Sequence, residues 1–135
     1  MKKVLVLLVV VFILGFTINV NATTEKESQE IEVAKNQLIL AIDANNFFIR
    51  TITYSQNDQK TEIVRVLKKY YIKACEEVGN PYDPMYLLFA NVVVSANNWK
   101  EDHIDKDLIE SIELVNKVFI EVIAELDKSV DKTKI

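Results

Sequence analysis

Beyond Gly15, every glycine and proline of this 135-residue chain falls in one stretch, Gly79-Asn80-Pro81-Tyr82-Asp83-Pro84. Sheet proteins reverse direction every few residues, and their turns draw on glycine for positive φ and on proline for a fixed φ. A chain with one such stretch lacks the punctuation of an all-β fold. Its apolar residues recur instead at helical spacing, and the expected class is all-α.

The first helical segment runs from about Glu25 to Tyr54. Thr24 and Glu27 are spaced as a capping box, and Ile31, Ala34, Leu38, Ala41, Asn45, Phe48 and Ile52 form one face at alternating three and four spacing. A polar break, Ser55-Gln56-Asn57-Asp58, separates it from a second segment over Gln59 to Val78. There Val64, Leu67, Tyr71, Ala74 and Val78 form the stripe, and Gly79 suits a left-handed C-terminal cap.

The third helix has the clearest start. Asp83 is a capping residue, Pro84 occupies the first helical position, where its missing N–H costs nothing, and Tyr82 and Leu87 stand at staple positions. From Met85 to Ala96 only Asn91 and Ser95 are polar, so this helix is expected to be the most buried one or an interface. The fourth begins near Asp105, with Asp107 and Glu110 in its first turn and Lys128, Lys132 and Lys134 towards its end, both suited to the helix dipole. Its stripe reads Ile109, Ile112, Asn116, Phe119, Ile123, Leu126 and Val130. Four amphipathic helices with short links predict an antiparallel four-helix bundle.

The N-terminus carries a different signal. Lys2 and Lys3 precede an uncharged apolar run, Val4 to Ile18, and Val20 and Ala22 are small residues placed for cleavage before Thr23. This is the pattern of a secretory signal peptide over residues 1–22, with a helical domain over 23–135 and an extracytoplasmic location, periplasmic or secreted. The alternative is an uncleaved single-pass anchor, since no charge appears from Val4 to Thr24. Loss of Lys2 and Lys3 takes the formal charge from −4 to −6. An acidic domain argues against nucleic acid as a partner, because binding phosphates requires a basic surface.

Chemistry-bearing motifs are sparse. One cysteine and one histidine supply neither an internal disulfide nor a common zinc set, and no glycine-rich phosphate loop is present. Glu101, Asp102, Asp105, Asp107, Glu110 and Glu113 cluster around His103, but neither the EF-hand spacing nor the E-x-x-H pair of di-iron bundles is met. Haem ligation would need His103 with Met85, and His103 falls in a polar link rather than on a stripe. Cys75 borders the second stripe, as a small buried thiol does. No catalytic residue, metal or cofactor is therefore expected.

What remains is surface. Arg65, Lys69 and Lys73 line one face of the second helix at four-residue spacing, and Tyr82 and Tyr86 lie at the turn. These five are the candidate partner-binding residues of a small exported, non-enzymatic protein-binding module, of the inhibitor, immunity or accessory type. A homodimer through Met85–Ala96 or through Cys75 is a further possibility, as is a small-ligand carrier. Asn45 and Asn116 each occupy a stripe position, where an asparagine is costly unless paired. They are expected to face each other or to line a small polar pocket, and replacing both with leucine is expected to raise stability while loosening specificity.

Overall fold

A computed structural model describes residues 24–133, with side chains over 29–128. The expected signal peptide over 1–22 lies outside the described residues, as do the side chains of Thr24 and Glu27 in the expected capping box. Four helices follow in order: α1 Thr24–Tyr54, α2 Asn57–Val78, α3 Pro84–Asp102 and α4 Asp105–Thr133. Among the described residues there is no strand. The links are Ser55-Gln56, Gly79 to Asp83, and His103-Ile104. Such short links oblige each helix to reverse against its predecessor.

Side-chain pairs show the same directions. Along α1 and α4, Lys35 meets Asp127 and Asn45 meets Asn116, so numbers rise on one helix as they fall on the other. Tyr71 with Phe89 and Cys75 with Tyr86 give the same relation for α2 and α3, and Phe89 with Phe119 and Trp99 with Asp105 give it for α3 and α4. Each helix packs on its chain neighbours and α4 closes on α1, the arrangement of a four-helix bundle; α1 and α2 touch least.

The predicted stripes of α1 and α2 face the core. Leu38, Ile52, Leu67, Phe89 and Val92 are essentially inaccessible. Only one side of α3 is buried, however: Met85, Phe89, Val92, Ala96 and Trp99 face inward while Leu87 and Val94 are exposed. On α4 the buried set is rotated from the expected one. Leu108, Ser111 and Val115 join Ile112, Asn116, Phe119 and Leu126, and Ile109 and Ile123 fall to half-buried edges. The helix packs on both α1 and α3, so its apolar face is wider than a single seam. Ser111 is accommodated there because its hydroxyl donates to the Leu108 carbonyl at 2.6 Å.

The turn between α2 and α3 is held by its own polar groups. Gly79 closes α2 with φ 76° and ψ −38°, its N–H donating to the Cys75 carbonyl at 3.0 Å. That ψ lies outside the left-handed helical well expected for the cap, but the positive φ still favours glycine. The Asn80 side-chain oxygen accepts the Tyr82 N–H at 3.0 Å, and its carbonyl accepts the Asp83 N–H at 3.1 Å. Asp83 caps α3 by accepting the Met85 N–H at 2.8 Å. The predicted staple is not a buried contact, since Tyr82 is 88% and Leu87 58% exposed. Asn80 and Asp83 already fix the chain's entry angle.

At Gly79 a Cβ would meet nothing closer than 3.8 Å, so the constraint is conformational rather than steric. Gly79→Ala is expected to lower stability by about 1–3 kcal/mol, read as a lower urea midpoint at unchanged m-value. An unchanged midpoint would show that the turn relaxes to another conformation.

Candidate functional site

The most buried polar feature lies at mid-height in the bundle. The Tyr71 hydroxyl donates to Asn45 Oδ1 at 2.6 Å, Asn45 Nδ2 donates to Asn116 Oδ1 at 2.8 Å, and Asn116 Nδ2 donates to Asn46 Oδ1 at 3.0 Å. Each link donates in the same sense, and the relay joins α2, α1 and α4. Asn45 and Asn116 thus face each other, as their stripe positions predict. Tyr71 was legible only as a core aromatic. The signal for its larger part is that a buried tyrosine hydroxyl must find a partner. Burial, with some contribution from Tyr70 and against the Asn45 hydrogen bond, pushes the Tyr71 hydroxyl far above the ordinary tyrosine range. It stays a donor throughout the accessible pH range.

This third member changes the expectation for a double leucine replacement, which would leave the Tyr71 hydroxyl buried without an acceptor. Asn45→Leu alone is expected to cost about 2–4 kcal/mol, because it orphans two buried groups. The triple variant Asn45→Leu/Asn116→Leu/Tyr71→Phe is expected to recover most of that loss. Urea midpoints across the set measure the coupling; costs that merely add would contradict a shared network.

A second polar clamp sits at the end of the bundle where α4 begins. Trp99 Nε1 donates to Asp105 Oδ1 and Lys60 Nζ donates to Asp105 Oδ2, both at 2.7 Å. Burial disfavours the charged form of Asp105, but the bonds from Lys60 and Trp99 and the charge of Lys60 outweigh it, so its carboxyl lies below the ordinary range. A carboxylate held low stabilises the fold above the unfolded-state value, near 3.9, and that contribution disappears as pH falls through the folded value. Asp105→Asn is therefore expected to cost about 1–2 kcal/mol at pH 7. The difference from wild type should shrink in urea titrations taken progressively below pH 4; a constant difference would contradict the assignment.

The candidate surface residues are separated by the structure. Arg65, Lys69 and Lys73 are all exposed on the outer face of α2. Arg65 is paired with Glu62 one turn away, and the Glu62 carboxyl is held low by Arg65, opposed by desolvation and helped by Lys69. Glu62 and Glu76 share that face, so its charge is mixed. Lys60 is turned inward to Asp105. Tyr82 stands free on the turn, whereas Tyr86 is half-buried, with its carbonyl 3.9 Å from the Cys75 sulfur.

The groups weighed for chemistry are far apart. Cys75 is buried level with Tyr86, and burial, then the Glu76 charge, raises its thiol above the ordinary range. His103 caps the opposite end of α3 in a left-handed conformation, φ 54° and ψ 31°, with its ring against Trp99. From Met85 or Cys75 it lies about 25 Å along the helix axis. Among the described residues no cluster of three or more histidine, cysteine, aspartate or glutamate side chains is placed to hold a metal ion. None of the described helices is long and apolar enough to cross a membrane.

One surface escaped the sequence reading. The outer face of α1, opposite its core stripe, exposes Val33, Leu40, Phe47 and Tyr54 at 41, 59, 58 and 85%. Their signal was a seven-residue spacing. Phe47 also begins a train of ring contacts through Phe48, Tyr70, Tyr71 and Phe89 to Phe119, each 5.3–6.3 Å from the next. The α1 surface is thereby coupled by packing to the core.

Compared with models of known families, with curated proteins and with solved structures, the chain matches none.

Proposed function

We propose that this chain is a small exported helical protein that acts as a non-enzymatic protein-binding module, of the inhibitor, immunity or accessory kind. The observation that carries the reading is Tyr82, 88% exposed on a turn fixed by the Asn80 and Asp83 hydrogen bonds. Tyrosine is a favoured interface anchor, and a turn already ordered loses little conformational freedom on binding. Lys73, within two turns of Gly79 on the same helix, and Lys69 one turn further away supply exposed positive charge for an acidic rim on the partner. Export is supported by the sequence of residues 1–22, which places the mature start at Thr23.

A photo-crosslinking amino acid at position 82 of the full chain, in cells that produce it, tests this. A discrete adduct with a different polypeptide is expected, weakened when Lys69 and Lys73 are both changed to glutamate. An absent adduct, or the same adducts from a crosslinker at exposed Glu113, would overturn it.

A further inference from the structure

We propose that α1 is the interface of a two-fold dimer, in which a second copy lays its own α1 antiparallel along the outer face of the first. This surface is distinct from the Tyr82 turn and does not depend on the reading given to it.

Val33, Leu40, Phe47 and Tyr54 repeat every seven residues, and Gln37, Ala44 and Thr51 lie between them at alternating four and three spacing. That is the repeat by which one helix packs along another. The large residues are exposed and the intervening ones half-buried. On α2, Val66 and Tyr70 extend the same apolar face at 46 and 41% exposure, joined to it by the Tyr70–Phe48–Phe47 ring contacts.

The open area is of interface size. At their exposures of 58, 85 and 41%, Phe47, Tyr54 and Tyr70 leave roughly 300–450 Å² of side chain uncovered. Each partner in a standard interface contributes about 800 Å². The three aromatics offer close to half of that before Val33, Leu40 and Val66 are added, and a patch so extended is at or beyond the largest found on most monomers.

The face also complements itself in one direction. Centred between Asn45 and Asn46, an antiparallel second copy sets Phe47 against its Ala44, Leu40 against its Thr51 and Tyr54 against its Gln37. Large side chains thus meet small or polar ones. Asp43 and Arg50 lie seven residues apart on one edge of the seam, both exposed, and neither makes an ion pair among the described residues. In this register each comes within a turn of the other residue of the second copy, forming two equivalent opposite-charge pairs. A parallel pairing would set Phe47 on Phe47 and like charges side by side. On α1 the charges that border the face are Asp43 and Arg50, one of each sign, and on α2 Lys69 and Lys73 lie beside Val66 and Tyr70.

The test is analytical ultracentrifugation of the purified full chain, in the N-terminal form the cell leaves it, across a dilution series. A dimer is expected for wild type and a monomer for Leu40→Glu at unchanged helical circular dichroism. Asp43→Arg and Arg50→Asp alone should each weaken the dimer about tenfold or more, and the double swap should restore it. Because the swaps alter exposed charges only, they remain informative if Leu40→Glu fails to fold. A monomeric wild type at every concentration, a dimer lost instead on Leu87→Glu at the α3 face, or a double swap no better than the single ones would overturn the proposal.

Discussion

The register of the bundle depends on the relay from Tyr71 through Asn45 and Asn116 to Asn46. Apolar burial supplies most of the driving force for such a fold, but it has no direction, and helices with long leucine, isoleucine and valine stripes can slide by a turn with modest loss. A buried amide cannot. Displacing α4 by one turn would separate Asn116 from Asn45 and Asn46, leaving the Asn45 Nδ2 and both polar atoms of the Asn116 amide unsatisfied in the core. Three helices are thereby locked at one level, and α3 follows because it is packed between α2 and α4.

The remaining polar contacts reinforce this at other heights. Asp105 gathers Trp99 and Lys60 where α4 begins, bringing α2, α3 and α4 to a common end. Asn80 and Asp83 order the opposite end of α2 and α3, and Lys35 with Asp127 ties α1 to α4 beyond that turn. Long-range polar links thus sit at intervals along the bundle, with apolar packing between them. The aromatic train from Phe47 to Phe119 crosses this frame sideways, so the outer face of α1 is backed by rigid rings rather than by loose aliphatic packing.

Much of the architecture was legible because the sequence is locally consistent. The Gly79–Pro84 turn, the four helices and the inward faces of α1 and α2 follow from spacing and caps, and the two misplaced asparagines announce each other. What was hidden has physical causes. On α4, Leu108 and Val115 lie beside Ile109 and Asn116 in sequence, so two neighbouring stripes satisfy the same periodicity and only packing on both α1 and α3 selects between them. Tyr71 reads as a core ring whether or not its hydroxyl is used. Trp99 and Asp105 belong to different helices, and their meeting depends on the tight turn at His103. On α1 the core stripe dominates the pattern, and the weaker seven-residue repeat on the opposite face is noticed only once Phe47 and Tyr54 are seen to be uncovered. The surface candidates fared differently from one another: Tyr82 is free, Tyr86 is partly covered, and Arg65 is paired on its own helix.

The buried amides and the Tyr71 hydroxyl hold the register of the bundle. The most direct test of that account is the side-chain amide spectrum of Asn45 and Asn116 by NMR in water. Protons of both NH₂ groups should exchange slowly with solvent and show cross-relaxation linking Asn45 to both Tyr71 and Asn116. If instead both amides exchange as fast as that of exposed Asn36, with no contact between them, the relay does not exist and the register must be set by apolar packing alone.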